Sequence, residues 1–341
     1  MRHTIMALAA ALTMAMPAAS PAFAQDDARV NATTFDAPSL AGNLEGNSVT
    51  RDVLVVTPPG YDEHPDKRYP VVYFLHGYWM PVGAQQEAFR LEEAVDAASR
   101  AGNDMIVVMP DGFSKLRGGF YSSGPVVGDY EGMVARDLVA WVDANYRTLP
   151  TPASRGLAGH SMGGYGTIRI AMKHPGIFSS IYMMSACCLP PQPLSADQAD
   201  AIDAMGKGDL EGAQFGQLAG VSTGAAWAPD PGGEGAFMVD TTRGPDGGVA
   251  KLAEYRMAAN SPLVLLPQYL PALNALEGFA IDIGDEDFLL EGNRAFMAEL
   301  DRFSVDYDFE LYEGDHGNRI RERIRTEVLP FFAEHLDREG E

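Results

Sequence analysis

A serine flanked by glycines, Ser161, is the residue of this chain best placed to do chemistry. It lies in Gly159-His-Ser-Met-Gly163, which fits the G-x-S-x-G pattern of a nucleophile elbow, a tight strand-to-helix turn that exposes a serine hydroxyl. Such a turn forces the serine backbone towards positive φ, and the glycines leave room for it. The helix that follows points its first amides at the same place, so the amide of Met162 is a candidate oxyanion donor. A glycine-rich turn around a buried serine is the alternative interpretation.

The serine needs a base, because the pKa of a hydroxyl lies far above neutral pH. His316 is the candidate, since it follows a late predicted strand and enters a glycine-flanked loop before a helix. His76 precedes a glycine at the end of an early strand, and we expect it to brace that loop. His160 is held beside the serine on the elbow itself. The remaining histidines lie in a leader, a polar loop or helices: His3, His64, His174 and His335.

The base needs an acid to orient it, and after an elbow of this kind the acid precedes the histidine along the chain. Asp285, Glu286 and Asp287 crowd the loop that follows a predicted strand at 278–283. Carboxylates this close raise one another's pKa, and an imidazolium opposite one of them relieves the repulsion. Spacing favours Asp287 over Asp285. We expect the other carboxylates to face water or to cap the next helix.

A second oxyanion donor is expected from the loop after an early buried strand. His76-Gly77-Tyr78 fits this position, because the glycine lets the backbone bend inwards and the amide of Tyr78 can then face an adduct on the serine. Trp79, Tyr121 and Tyr165 are candidates to line an aromatic pocket for the acyl or leaving group. Ordinary packing of loops on the sheet is the alternative for these three residues.

Strands and helices alternate along most of the chain. Continuous apolar runs are typical of strands covered on both faces, and amphipathic stretches between them predict helices. The alternation predicts an α/β fold with a mostly parallel central sheet and helices on both faces. The predicted strands are 49–57, 69–75, 105–110, 155–159, 177–184, 278–283 and 307–312, and the predicted helices are 85–101, 130–146, 165–174, 291–303 and a closing helix that ends near 336.

The alternation is interrupted between 189 and 261. This segment is rich in Pro, Gly, Ala and Asp, with weak helical patterns at 197–204 and 249–259. We interpret it as a cap inserted after the sixth strand, with a disordered linker as the alternative. Residues 25–47 are predicted to form an N-terminal arm, either loose or part of an edge hairpin. Residues 48–341 are predicted to form one domain that carries the cap.

The first 24 residues have the pattern of a secretory leader. Arg2 and His3 precede an apolar run at 5–16, and Ala22-Phe-Ala24 offers small residues at a cleavage site. The apolar run is too short to span a bilayer, and no later segment is long enough. We therefore expect cleavage after Ala24, no membrane anchor afterwards, and export to a periplasm or the medium. An uncleaved membrane anchor is the alternative.

Composition limits the possible partners and cofactors. The 341 residues carry a formal net charge of −22 and a pI near 4.6, which argues against nucleic acid and anionic membrane surfaces. The two cysteines, Cys187 and Cys188, are adjacent, and because a disulfide between neighbours is strained, we favour two thiols beside the active site. No metal-ligand cluster, dinucleotide fingerprint or phosphate loop occurs in the sequence, so we expect no metal and no cofactor.

The chain resembles the esterase D-like family of α/β-hydrolases in five motifs: Gly159-His-Ser-Met-Gly-Gly-Tyr-Gly166, Leu75-His-Gly77, Met109-Pro-Asp-Gly112, Gly284-x-x-Asp287-Phe-Leu and Gly314-x-His316. The resemblance covers residues 48–337 apart from the cap. It implies an α/β-hydrolase fold with Ser161 as nucleophile, Asp287 as acid and His316 as base. It also implies an oxyanion hole formed by the amides of Tyr78 and Met162. The family includes feruloyl and acetyl-xylan esterases, S-formylglutathione hydrolases and mycolyltransferases.

These observations together predict an exported serine carboxylesterase that works through an acyl-enzyme. Its expected substrate is a small-molecule or glycan-linked ester, with carbohydrate and aryl esters as candidates. The export signal weighs against a cytosolic S-formylglutathione hydrolase. An acyltransferase that excludes water from the same acyl-enzyme and a peptidase are alternatives within the enzymes. A non-catalytic binding protein of the same fold is a further alternative, which the complete set of Ser161, Asp287 and His316 disfavours.

Overall fold

A sheet of eight strands forms the centre of the protein in the computed structural model, which describes residues 27–339. The strands are β1 Arg29–Asp36, β2 Thr50–Thr57, β3 Val71–Leu75, β4 Ile106–Pro110, β5 Arg155–His160, β6 Ser180–Met184, β7 Gly278–Gly284 and β8 Asp308–Tyr312. Their spatial order is β1-β2-β4-β3-β5-β6-β7-β8. Pairing is parallel from β4 to β8 and antiparallel where β2 joins β1 and β4. The predicted α/β fold with a mostly parallel sheet is confirmed.

Helices cover both faces of this sheet, which explains the continuous apolar strands. Along β3, Val71, Tyr73 and Leu75 belong to one core cluster, whereas Val72 and Phe74 belong to a second cluster on the opposite face. All of these side chains are buried. The helices are α1 Val82–Phe89, α2 Leu91–Arg100, α3 130–145, α4 Met162–Lys173, α5 Ala196–Ala204, α6 Phe215–Trp227, α7 Lys251–Ala258, α8 Pro262–Leu273, α9 Leu290–Arg302 and α10 320–335.

The single helix predicted for 85–101 is wrong, because α1 and α2 are separate helices. They meet at Arg90, whose backbone is left-handed with φ of 51°. Phe89 and Leu91 on either side are both buried in the same cluster. Two residues that are two positions apart point to nearly opposite sides of a straight α-helix. The break at Arg90 therefore lets both side chains reach the same core.

The N-terminal arm forms the edge hairpin that was one of its two predicted alternatives. β1 pairs with β2 over its whole length, from Arg29 opposite Thr57 to Asp36 opposite Thr50. The arm is thus part of the sheet. The leader predicted at 1–24 lies outside the described residues. Within residues 27–339, none of the helices combines the length and the apolar character that crossing a bilayer requires.

The segment at 189–261 follows β6, the sixth strand of the sheet, and is folded. It contains α5, α6 and α7, and Val221, Ala225 and Trp227 of α6 are buried in the larger core cluster. The two ends of the segment meet, because the hydroxyl of Ser261 donates to the carbonyl of Leu189 at 2.7 Å. The disordered linker is therefore wrong. Helix α8, which the sequence did not predict, follows the cap and packs against α4.

Candidate active site

Ser161 lies between β5 and α4 on a strained turn. Its φ of 58° and ψ of −113° are unusual for a residue with a side chain. A Cβ atom on Gly163 would come within 1.8 Å of the carbonyl oxygen of Leu75, so only glycine allows this close approach. Two hydrogen bonds hold the serine backbone: its amide donates to Met184 O at 3.0 Å, and Cys187 N donates to its carbonyl at 3.1 Å. The neighbouring strand therefore fixes the turn that presents the hydroxyl.

A continuous chain of hydrogen bonds joins Ser161, His316 and Asp287. His316 Nε2 lies 2.9 Å from Ser161 Oγ, and His316 Nδ1 lies 2.9 Å from Asp287 Oδ2. The Asp287 side chain is fully buried, whereas that of His316 is 25% exposed. The structure thus brings together the three residues that the sequence singled out as nucleophile, base and acid.

Asp287 is held in its ionised form. Burial alone would raise its pKa, but hydrogen bonds from His316 and from the amide of Leu289, 2.8 Å from Oδ1, lower the pKa below its ordinary value. A carboxylate at this position accepts the proton of His316 Nδ1–H. Because a neutral imidazole carries only one N–H, Nε2 is then left as an acceptor for the serine proton.

Asp287 lies on the loop after β7, and His316 lies on the loop after the parallel strand β8. These two loops contact each other. A Cβ atom on Gly284 would lie 2.1 Å from the carbonyl oxygen of Gly314. Glu286 N donates to this same carbonyl at 3.0 Å, and Asp285 Oδ1 accepts from Gly314 N at 3.0 Å. Asp285 therefore ties the two loops together, and Asp287 is the carboxylate left to face His316.

The opposite wall of the site is the loop that follows β3. His76 braces it as expected: Nδ1 donates to Gly77 O at 2.7 Å, and Nε2 accepts from Gly112 N at 2.8 Å. The loop lies close to the serine, since a Cβ atom on Gly77 would lie 3.6 Å from Ser161 Cβ. Among residues 27–339, the amides of Tyr78 and Met162 have no protein acceptor, so both are free to donate to a ligand.

His160 contacts the loop that carries His316, a role that the sequence did not reveal. Its Nε2 lies 2.8 Å from the main-chain carbonyl of His316, and the two rings have centroids 4.7 Å apart. Burial, followed by the proximity of His316, lowers the pKa of His160 to about 3. The ring is therefore neutral near pH 7, and its N–H holds the His316 loop in place.

Comparison with protein families agrees with this geometry. A family model described as "Putative esterase" matches residues 48–242, which is more than half of the chain. The chain belongs to this esterase family. A Mycobacterium tuberculosis protein named an esterase is 37% identical over 120 residues, a stretch that spans 33% of this chain and 24% of that protein. The chain thus matches only about a quarter of the length of this relative.

Solved structures share the fold of this esterase-family chain. A ferulic acid esterase aligns with a TM-score of 0.64 at 19% identity, and the alignment covers 91% of this chain and 99% of that one. An S-formylglutathione hydrolase of Staphylococcus aureus aligns with a TM-score of 0.59 at 18% identity, over 90% of this chain and all of that one (100%). These similarities confirm the predicted α/β-hydrolase fold.

The three aromatic residues predicted to line a pocket lie in different environments. Trp79 is 37% exposed beside the oxyanion loop. Tyr121 and Tyr165 are buried, and their hydroxyls donate to the carbonyls of His76 at 3.2 Å and Asn260 at 2.8 Å. The prediction that Tyr121 and Tyr165 line the pocket is therefore wrong. They pack between the loops and the sheet, which was the alternative interpretation.

Two exposed phenylalanines near the site were missed by sequence reasoning. The Phe288 ring lies 4.7 Å from the His316 ring and is 73% exposed. Its position directly after Asp287 was the signal that could have placed it there. Phe215, at the first turn of α6 in the cap, lies 5.5 Å from Trp79 between ring centroids. No local signal places it there, because its position depends on how the cap folds.

The adjacent cysteines of this chain, Cys187 and Cys188, are free thiols, and Cys187 is buried. Burial raises the pKa of the Cys187 thiol well above its ordinary value, which makes it a poor nucleophile at neutral pH. The amide of Cys187, by contrast, donates to the carbonyl of Ser161. Within the described part of the chain, no group of three or more His, Cys, Asp or Glu side chains is arranged to hold a metal ion.

Proposed function

We propose that this chain is a serine carboxylesterase that forms an acyl-enzyme on Ser161. The observation that carries the proposal is the hydrogen-bonded chain from Asp287 through His316 to Ser161, at 2.9 Å in both steps. A hydroxyl on a strained turn, a neutral imidazole acceptor and a buried carboxylate are what nucleophilic attack on an ester carbonyl requires. Membership of the esterase family supports the same reaction.

The reaction follows from the position of each group. His316 Nε2 takes the proton as Ser161 Oγ attacks the carbonyl carbon, and the amides of Tyr78 and Met162 donate to the developing oxyanion. Such donors contribute about 3 kcal/mol each to transition-state stabilisation in comparable sites. His316 then returns the proton to the leaving alcohol. A water molecule, activated by the same imidazole, releases the acid and restores the serine.

Hydrolysis is favoured over acyl transfer because solvent reaches the base. The His316 side chain is 25% exposed, so water has access to the imidazole that must activate it. An acyltransferase would need to exclude water at this point. A purely binding role is disfavoured, since a ligand-binding surface has no need for a serine held in hydrogen-bond contact with a histidine and a buried carboxylate.

The proposed substrates are small-molecule carboxylic esters, with carbohydrate-linked and aryl esters as first candidates. Two of the similar structures are named a ferulic acid esterase and an S-formylglutathione hydrolase, and both names describe acyl groups of modest size. We further propose export, from the leader pattern at 1–24. Mass spectrometry of the protein recovered from its producing cells tests the export proposal, which predicts a new N-terminus at Gln25.

The catalytic proposal is tested with the protein lacking residues 1–24 and its Ser161→Ala variant. Hydrolysis of p-nitrophenyl acetate, p-nitrophenyl butyrate and methyl ferulate is followed beside labelling by a fluorophosphonate probe. We expect turnover and labelling in the first protein, and neither in the variant. Turnover that survives Ser161→Ala would sink the proposal. Labelling without hydrolysis, together with ester formation on an added alcohol, would instead identify an acyltransferase.

A further inference from the structure

Three aromatic rings form an exposed cluster beside the Tyr78 amide. They belong to Tyr78, Trp79 and Phe215, and we call them the aromatic clamp. Ring centroids are 6.3 Å apart for Tyr78–Trp79, 5.6 Å for Tyr78–Phe215 and 5.5 Å for Trp79–Phe215. Trp79 is 37% exposed and Phe215 is 54% exposed. The clamp therefore presents apolar ring surface to solvent at the edge of the site.

Tyr78 and Trp79 of the clamp lie on the loop after β3, and the backbone of this loop is strained at Trp79. Trp79 has a φ of 89°, which is costly for a residue with a side chain and persists only where the surroundings fix it. Its amide donates to Arg117 O at 3.2 Å, and the Tyr78 hydroxyl donates to Leu116 O at 2.9 Å. Strain of this kind is concentrated at functional sites. These two hydrogen bonds hold the loop in the conformation that leaves the indole partly exposed.

The cap supplies the third ring of the clamp, that of Phe215, and hydrogen bonds attach the cap to the rest of the protein. On α6, the Ser222 hydroxyl donates to the carbonyl of Gly118, and Trp227 Nε1 donates to the hydroxyl of Ser122 at 2.9 Å. Both acceptors belong to the loop between β4 and α3. Because these bonds fix the body of α6, Phe215 at its first turn is held against Trp79. The cap therefore completes the wall of the site.

The position of the clamp indicates which part of an ester it contacts. In the tetrahedral adduct the oxyanion faces the amides of Tyr78 and Met162, and the leaving alcohol faces His316, which must protonate it. The clamp adjoins the Tyr78 amide, whereas the ring beside His316 is that of Phe288. The clamp thus adjoins the loop that supplies an oxyanion donor, and a different ring adjoins the base.

We infer that the aromatic clamp is the acyl-binding subsite, and that Phe215 of the cap is a specificity-determining residue that favours large apolar acyl groups. This inference rests on the proposed esterase function. We expect an acetyl group to leave the ring of Phe215 uncovered and a cinnamoyl or decanoyl group, which carries more apolar surface, to bury part of it. The cap would then set the acyl preference of the enzyme without touching the catalytic residues.

The experiment compares Phe215→Ala with the unchanged protein on two ester series. In the first, p-nitrophenol is constant and the acyl group is acetyl, decanoyl or cinnamoyl. In the second, acetyl is constant and the alcohol is phenol, 2-naphthol or ethanol. We expect Phe215→Ala to lower kcat/KM about tenfold for decanoyl and cinnamoyl esters and less than about twofold for every acetate, as loss of one apolar contact predicts. Phe215→Tyr, which keeps the ring, should restore the preference.

A control variant and the acetate rates separate the possible outcomes. Tyr255→Ala removes another aromatic side chain of the cap, 68% exposed on α7, and should leave both series unchanged. An equal loss on all acyl groups, or a loss that follows the alcohol series, would overturn the acyl subsite while leaving the esterase proposal intact. Absence of turnover on every ester by the unchanged protein would overturn the esterase proposal and this inference with it.

Discussion

His160 Nε2 donates to the main-chain carbonyl of His316 across 2.8 Å, so the residue before Ser161 positions the loop that carries His316. The contact links β5, which carries the serine, to the loop after β8, which carries the histidine. Its donor is permanent near neutral pH, because burial lowers the pKa of His160 to about 3. The distance between Ser161 and His316 is therefore maintained by a group that does not titrate near neutral pH.

Replacement of His160 should affect turnover through the position of His316. In His160→Leu the partly buried carbonyl of His316 loses its donor, which costs about 1–3 kcal/mol, and we expect kcat/KM for p-nitrophenyl acetate to fall by about tenfold. His160→Gln keeps a donor and should recover much of the rate. Its pH–rate profile between pH 5 and 9 should match that of the unchanged protein. A lower Tm with unaltered kcat/KM in His160→Leu would show that the contact serves stability alone.

Asp287 and Asp285 offer a matched pair for testing the acid. Asp287→Asn cannot hold the Nδ1–H tautomer of His316, and the equivalent loss in a serine protease lowers kcat by about 10,000-fold. We expect a loss of similar order in steady-state ester hydrolysis. Asp285→Asn removes the charge but keeps an oxygen that can accept from Gly314 N, so its rate should stay within about tenfold, the effect of weakening one loop contact. Equal losses in the two variants would contradict the assignment of Asp287.

The hydrogen-bonded residues of the candidate site could be singled out from the sequence because their signals are local. The glycines around Ser161 indicate a tight turn, because a side chain at Gly163 would collide with the carbonyl of Leu75. His316 follows a strand and precedes a helix. Spacing favoured Asp287 among three neighbouring carboxylates. The structure adds the physical reason, since Asp285 accepts from Gly314 N and Asp287 is the carboxylate that faces the base.

Features that depend on distant parts of the chain could not be predicted in the same way. Aromatic residues suit both pockets and cores, so the residue type alone did not distinguish exposed Trp79 from buried Tyr121 and Tyr165. Phe215 reaches the site only because the cap folds onto the loop between β4 and α3. Helix α8 was missed since Pro267 and Pro271 lie inside it, and proline is the strongest sequence signal against a helix.

The tight elbow predicts a sharp stability effect at Gly163. In Gly163→Ala the new Cβ would lie 1.8 Å from Leu75 O, and this backbone contact can be relieved only by moving β3 or α4. We expect the free energy of unfolding, measured with urea, to fall by about 3 kcal/mol or more. Gly83→Ala is the control: apart from its chain neighbours and the backbone of α1 itself, no atom of the described residues lies within 4 Å of its Cβ position, and the substitution should raise stability by about 0.5–1 kcal/mol.

The ion pairs of Glu131 should make the packing of α3 against α4 depend on pH. Glu131 lies on α3, and its Oε1 accepts from Arg169 Nε at 2.7 Å and from Lys173 Nζ at 2.8 Å, both on α4. Burial would raise the pKa of Glu131, but His174, Arg169 and Lys173 together lower it to about 2. An ordinary glutamate has a pKa of about 4.3, so the folded state gains about 3 kcal/mol from the ionised form.

The lowered pKa of Glu131 determines how the free energy of unfolding should change with pH. Because the folded pKa lies below the unfolded one, the contribution is complete above about pH 4.3 and is lost as the pH falls towards 2. Glu131→Gln should therefore unfold about 3 kcal/mol more easily at pH 7, and the gap to the unchanged protein should narrow steadily below pH 4.5. Urea titrations of both proteins from pH 7 to pH 3 measure this gap. A gap that stays constant over the whole range would mean that packing of the side chain, and not its charge, holds α3 against α4.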